Sequence, residues 1–422
     1  MTGVFHCRAA LVDGRFADDV AVTVVDGRIT ALTPGAAPAP DAPRLEVVVP
    51  GFVNAHSHAF HRELRGRTHA DGGDFWRWRE RMYETADVLT PESYEVLATA
   101  VFSEMRAAGY TSVAEFHYLH HRPGGEPYAD HGMERALARA ARAAGIRLLL
   151  LDTCYLAGGI GMALNTTQRR FSDGTAGAWL ARWQRLRAAL EPLGGTASEP
   201  GVTVGAAIHS VRAVSPDDLR LIAAELPADV PLHVHLSENP AENEAALAAY
   251  GMTPTALLAD HGLLSPRLSV VHATHLTAED IALLGAARVT VVMCPTTEAD
   301  LGDGIGPAPE LRDAGARIAI GSDQHATIDP WEEVARLELD QRLRLQRRGV
   351  FSPAELWAAG AGVPGFRVGD PFDAVEVDTD TARTRGADLM QLPLVARAGD
   401  VRATLVGGRL MSPARADRRD GS

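Results

Sequence analysis

Cysteine is scarce in this chain of 422 residues: Cys7, Cys154 and Cys294 are odd in number and far apart. That excludes a disulfide framework and a thiolate zinc cluster, so any metal must rest on histidine and carboxylate ligands. Long apolar runs are also missing. The stretch at 146–151 is interrupted by Arg147, far short of a bilayer span, and the N-terminus carries no basic-then-apolar signal. A cytoplasmic protein without a membrane partner is expected. Positive charge is in deficit, with a formal net charge of -13, which argues against a nucleic-acid partner. A small anionic substrate remains open, because screening over about 8 Å lets a few local arginines outweigh distant surface charge. Hydrophobic residues make up 46% and charged residues 23%, a balance that supports a packed core rather than disorder.

From position 45 onward a short apolar strand followed by a helical stretch recurs eight times. The strands are expected at 47–53, 112–116, 147–151, 202–208, 232–236, 268–271, 289–293 and 317–320. Helical segments such as 91–108, 133–144, 216–226 and 239–259 lie between them, most with Pro or Asn near their starts. Eight units suggest a (β/α)8 TIM-like barrel. A doubly wound open sheet would have fewer parallel strands and a Gly-rich phosphate loop after the first, which is absent. A hairpin at 21–32 around Asp26-Gly27 and a β-rich stretch at 373–410 are each too small to bury a core alone, so they are expected to pack as one composite β-sandwich. The implied division is 1–50 for the N-terminal part of that sandwich, 51–365 for the barrel, and 366–422 for its C-terminal part and tail. The stretch 35–43 reads as a loop and 414–422 as a frayed tail.

Polar residues follow every strand. They are His56 and His58 after the first, Glu115, His117 and Tyr118 after the second, and Asp152 and Tyr155 after the third. His209 and Arg212 follow the fourth, His235 and Glu238 the fifth, His272 and His275 the sixth. Thr296 and Glu298 follow the seventh, Asp323 and His325 the eighth. A barrel brings all these ends to one face, where barrel enzymes place their chemistry. His56 and His58, one residue apart on a strand, point the same way. Singly, a strand-end histidine is more often hydrogen-bonded structure than a ligand, and a lone aspartate is usually a cap. Together His56, His58, His235 and Asp323 make three imidazoles and one carboxylate, a set suited to one divalent ion such as Zn2+ with a position left open for water. His272 is placed to contact that water or a substrate.

The motifs Pro-Gly-Phe-Val-Asn-Ala-His-Ser-His at 50–58, His-Leu-Ser-Glu at 235–238, Val-His-Ala-Thr-His at 271–275 and Gly-Ser-Asp at 321–323 resemble the amidohydrolase superfamily. Where a metal-bridging lysine would follow the fourth strand the chain reads Ile-His-Ser-Val-Arg, which resembles the mononuclear deaminase branch. Within that branch the chain is similar to the formimidoylglutamate deiminase family, on Ala-His-Ser-His-Ala-Phe at 55–60, Phe-Trp-Arg-Trp-Arg-Glu at 75–80, Ala-Glu-Phe-His-Tyr at 114–118, His-Ser-Val-Arg-Ala-Val at 209–214 and Thr-Glu-Ala-Asp-Leu-Gly-Asp-Gly at 297–304. The resemblance implies metal ligands at His56, His58, His235 and Asp323, catalytic roles for Glu238, His272 and Asp323, and substrate contacts from Arg79, Tyr118, His209 and Arg212. Position 61 departs from the pattern: His61 stands where the family commonly has glutamine, so an amide contact to substrate becomes an imidazole contact. A homodimer is a further implication.

The activity implied is metal-dependent deimination of N-formimino-L-glutamate to N-formyl-L-glutamate and ammonia, a step of histidine degradation. Arginine forks suit the two carboxylates of such a substrate, and a zinc-activated water, reactive at pH about 7, suits its formimino carbon. One rival is an aminohydrolase of a purine or related heterocycle, which would favour stacking and amide contacts over cationic anchors. A non-catalytic metal-binding barrel is another, and would have little need of Glu238.

Overall fold

The chain opens with an antiparallel meander of β1 (Thr2–Val12), β2 (Arg15–Val25) and β3 (Arg28–Thr33), then returns as β4 (Arg44–Pro50), which pairs parallel with β1. The computed structural model describes residues 2–68 and 75–411; the tail expected at 414–422 lies outside them. The hairpin expected around Asp26-Gly27 is β2 and β3, with both turn residues at positive φ, +47° and +79°, as a two-residue turn of matching twist requires.

Eight further strands pair in parallel in chain order: β5 (Phe52–Ser57), β6 (Tyr110–His117), β7 (Arg147–Cys154), β8 (Val202–Ile208), β9 (Leu232–Leu236), β10 (Leu268–His272), β11 (Thr290–Met293) and β12 (Arg317–Ile320). This is the expected (β/α)8 barrel. The strand expected at 47–53 divides at Pro50-Gly51, with its first part in the meander sheet and its second in the barrel. A Cβ on Gly51 would lie 2.3 Å from the Thr111 side chain, so glycine is what lets the backbone step between sheets there. The last strands, β13 (Ala374–Val377), β14 (Val401–Val406) and β15 (Arg409–Met411), join β4, so both terminal regions share one seven-stranded mixed sheet ordered β15-β14-β13-β4-β1-β2-β3. Alternation along β4 serves two cores. Val47 and Val49 pack into the barrel's core, while Val48 packs with Cys7, Val22 and Phe372.

Helices form where their starts are written into the chain. Thr90, Ser215, Asn239, Thr253 and Ser352 each accept a hydrogen bond from the backbone N–H three residues on, and each is followed by proline. Both features satisfy or remove donors that a helix N-terminus leaves unpaired. The single helix expected at 239–259 is two, Pro240–Tyr250 and Pro254–Asp260. Gly251 at φ +67° terminates the first, and Thr253-Pro254 starts the second. Phe52, Trp331 and Trp357 meet as an aromatic cluster, with ring centroids 4.7 to 6.2 Å apart, and seat the first barrel strand against the last helices. Among the described residues no helix is long and apolar enough to cross a membrane.

The two sheets are tied by Arg147 on β7. Its guanidinium meets both oxygens of Asp373, at 2.6 and 3.0 Å, and also donates to the carbonyls of Thr196 and Ala197. Asp373 in turn accepts from the Gly407 N–H. Replacing Asp373 with Ala removes the charge partner of a guanidinium that keeps its carbonyl bonds, so equilibrium urea unfolding of Asp373→Ala should show a loss of about 2 kcal/mol; a change under about 0.5 kcal/mol, the scale of an ordinary surface substitution, would show the tie to be incidental.

Candidate metal centre

The barrel closes between β12 and β5, and the closure is made by the backbone of the expected ligands. His58 N–H donates to the Asp323 carbonyl and Asp323 N–H to the His56 carbonyl, both at 3.0 Å. Gly321 permits the approach, since a Cβ there would sit 2.8 Å from the His56 Cβ. Side chains fasten the same seam. Asn54 accepts from Ser322 N–H and donates to Ser322 Oγ, while His325 lies 3.0 Å from Ser322 Oγ and 3.2 Å from Ser57 Oγ. Strain gathers here: Ser237, His272, Ala273, Asp323 and His325 all hold positive φ, from +41° to +69°. Backbone outliers persist where surrounding structure over-determines them.

His56 Nε2 stands 3.2 Å from His235 Nε2, and His58 Nε2 is 3.3 Å from the same atom. Asp323 Oδ1 lies 3.3 Å from His56 Nε2 and 3.5 Å from His58 Nε2. The outer nitrogens fix the tautomers of two rings. His58 Nδ1–H donates to the Phe116 carbonyl and His235 Nδ1–H to the His209 carbonyl, each at 2.9 Å, which leaves their Nε2 lone pairs facing inward. Burial drives His56 and His235 well below the usual imidazole range and His58 down to about 3. Neutral imidazoles turning lone pairs toward one another and a carboxylate are mutually repulsive without a cation between them. The donor set fits a divalent ion of borderline softness, and the residues that could hold it are His56, His58, His235 and Asp323.

His272 carries the opposite charge logic. Burial opposes its protonation, but Glu238, Glu298 and Asp323 push it up to about 10. Its Nε2 is 3.7 Å from Glu238 Oε1 and 3.8 Å from Asp323 Oδ2. Glu238 reaches the other way as well, with Oε2 3.8 Å from Arg212 Nη2. His58, His61, Arg79, Tyr118, His209, Arg212, His235, Glu238, His272 and Asp323 all line one pocket, and His56 lies buried beneath it. His61 Nε2 is 3.0 Å from Tyr118 OH, and its ring meets the edge of Trp78. Arg79, on the helix Phe75–Val88, donates to Tyr83 OH at 2.6 Å. His209 is driven well below its usual range by burial and by Arg212 beside it, so it offers a neutral ring.

Several strand-end groups expected on this face turn elsewhere, because alternate residues of a strand point to opposite sides. Asp152 takes the Arg182 fork, at 2.8 and 2.9 Å, on the helix side of the barrel. His117 stacks on Tyr94, and its Nε2 is 3.6 Å from Glu134. His117, His120 and Glu134 are close enough to gather around an ion, but Arg182 Nη1 already lies 3.2 Å from Glu134 and so supplies positive charge there. Thr296 donates to Glu333, and His275 bonds the Asp303 carbonyl. Two residues given no role in the sequence reading belong to the site's surroundings. Glu242, four positions beyond Glu238, lies 3.6 Å from Arg212 Nε, and that spacing was its signal. Glu298 bonds His272 at 3.4 Å; its signals were its place after the seventh strand and its membership of the run at 297–304.

Residues 47–411 match the model of the amidohydrolase family. The chain belongs to that family. It is 39% identical over 355 residues to formimidoylglutamate deiminase of Pseudomonas aeruginosa, an alignment covering 82% of this chain and 76% of that one. An amidohydrolase from Brucella melitensis superposes with a TM-score of 0.88 at 34% identity, covering 97% of this chain and 94% of that one. An adenosine deaminase from Xanthomonas campestris with bound zinc shares the fold, with a TM-score of 0.78 at 24% identity over 96% of this chain and 92% of that one. This chain is a hydrolase built on a barrel whose strand exits carry histidine and aspartate groups that could hold a metal ion.

The seam also holds a titrating group. Glu115 accepts from Ser57 Oγ and Ala59 N–H, both at 2.6 Å, yet burial raises its pKa from 4.5 to about 8. Between those values the folded chain keeps a proton that the unfolded chain has lost. The contribution of Glu115 to stability is therefore greatest below pH 4.5 and declines as pH rises toward 8. Urea unfolding across that range should show Glu115→Gln losing less stability with rising pH than the wild type; parallel curves would remove the carboxyl from the seam's pH response.

Proposed function

We propose that this amidohydrolase hydrolyses the formimino group of N-formimino-L-glutamate, giving N-formyl-L-glutamate and ammonia, with one zinc ion held by His56, His58, His235 and Asp323. The observation that carries the reading is the position of Glu238. One carboxylate oxygen faces His272, and the other faces Arg212, so the acid-base group stands between the ligand cluster and a cation suited to a carboxylate. The similarity to the Pseudomonas aeruginosa deiminase supports the same substrate.

Zinc at that cluster would supply a water that is nucleophilic near neutral pH. The chain's own groups do the rest. Arg212, with Arg79 and the neutral His209, holds the substrate's carboxylates through charge-assisted hydrogen bonds. Tyr118 and His61 complete that wall, and their mutual bond presents one polar edge to the substrate. Asp323, whose Oδ2 faces His272, accepts the proton from the attacking water. Glu238 carries the other proton of that water to the formimino nitrogen, and Asp323 returns its own to the same nitrogen as the carbonyl forms, so the carbon–nitrogen bond breaks with neutral ammonia leaving and both carboxylates are restored. His272 donates toward the developing oxyanion, the group whose charge must be stabilised as the carbon becomes tetrahedral. The substrate gains one oxygen and loses one nitrogen, with no oxidant or second co-substrate needed.

Metal-loaded protein should release ammonia from N-formimino-L-glutamate and little or none from guanine, cytosine or adenosine. Glu238→Gln should retain its metal but lose at least about 100-fold in kcat. Arg212→Met should raise KM by about 10-fold to 100-fold, the cost of a charged hydrogen bond. Full turnover by Glu238→Gln would remove the proton-transfer role, and preferential turnover of a heterocycle would replace the substrate.

A further inference from the structure

The run at 297–304 is one on which this chain resembles the formimidoylglutamate deiminase family, yet none of it has a task in the reaction proposed. Glu298 lies in that run, at the start of the helix Pro295–Leu301, and its side chain is 5% exposed. Its Oε1 accepts the Cys294 backbone N–H at 2.9 Å and a hydrogen bond from His272 Nδ1 at 3.4 Å. The backbone bond prevents the carboxylate from swinging, so the imidazole is held against a fixed acceptor. His272 needs such a hold. It ends β10 at φ +69°, followed by Ala273 at +52°, a left-handed pair that L side chains rarely adopt. Its Nε2 must still be aimed between Glu238 and Asp323, 3.7 and 3.8 Å away.

We propose that Glu298 is a positioning residue for the reaction: by accepting from His272 Nδ1–H it fixes the plane of the ring, so that Nε2–H is presented to the oxyanion that develops on the reacting carbon. A histidine that donates through one nitrogen to a carboxylate has the direction of its other nitrogen set by that bond. The proposal rests on the reading that His272 acts on the substrate, and it adds the group that aims it. Packing alone does not account for Glu298. It lines a second cavity, with Arg336, Asp340 and the glycines at 302, 304 and 306, that shares no wall residue with the substrate pocket. Its volume is therefore not needed to fill a closed core.

Two variants separate aiming from mere structure. In Glu298→Gln the amide oxygen keeps an acceptor for both N–H groups; in Glu298→Ala it is gone. With zinc content and melting temperature followed in parallel, Glu298→Ala should lose about 100-fold in kcat with KM within about threefold of wild type, and Glu298→Gln should recover most of the loss. Protein labelled with 15N-histidine supplies a readout independent of substrate. The downfield Nδ1–H resonance of His272, assigned by its absence from His272→Gln, should be present in wild type and Glu298→Gln and absent from Glu298→Ala. Undiminished kcat in Glu298→Ala, equal impairment of both variants, or an unchanged resonance in Glu298→Ala would overturn the proposal. Failure of wild-type protein to release ammonia from N-formimino-L-glutamate would count against the substrate reading alone, and the resonance would still decide the role of Glu298.

Discussion

The hydrogen bonds that close β12 onto β5 are the constraint on which the rest depends. The same two backbone contacts that join the eighth strand to the first also place Asp323 beside His56 and His58. Ring closure and ligand geometry are thus one event. Gly321 allows it by leaving space for His56, and Asn54, Ser57, Ser322 and His325 fasten it with side-chain bonds. Strain at Asp323 and His325 is the local cost of turning these groups inward. Function in this fold is written on the exits of strands, and here the exits are also the closure.

Electrostatics then divides the pocket. On one side, burial keeps three imidazoles neutral, and backbone bonds from His58 and His235 turn the lone pairs of those two rings inward. A step away, His272 is surrounded by carboxylates that hold its proton. Two histidines of similar burial are driven in opposite directions by their neighbours, and the pocket gains lone pairs for a cation beside a donor for a developing negative charge. Glu238 joins this reacting end to the cationic end at Arg212, whose charge Glu242 and Glu238 uphold against the cost of burial. A dianionic substrate with a formimino group has the matching polarity.

Much of this was legible in the chain. Eight apolar strands with polar exits carry the barrel on periodicity, and the one-residue spacing of His56 and His58 puts both rings on one face. The exits of the fifth, sixth and eighth strands offered His235, His272 and Asp323, the family motifs added a role for Glu238, and the structure brings the four side chains together. What failed to show did so for physical reasons. The side of the barrel to which Asp152 and His117 point depends on strand register, and a difference of one residue reverses it. Gly51 reads as part of a strand until the Thr111 side chain beside it is seen. Glu298 and Glu242 act through other side chains, so a strand-exit position and a four-residue spacing show where they lie but not what they do. The link between Arg147 and Asp373 spans 226 positions and leaves no local pattern.

The account stands or falls on whether the seam's donor atoms enclose a single ion. Anomalous diffraction at the zinc edge, on crystals of zinc-loaded protein that releases ammonia from its substrate, measures this directly. One strong peak per chain, bounded by Nε2 of His56, His58 and His235 and by Asp323, is the result expected. Absence of a peak at that point, or a peak held instead by His117, His120 and Glu134, would contradict it.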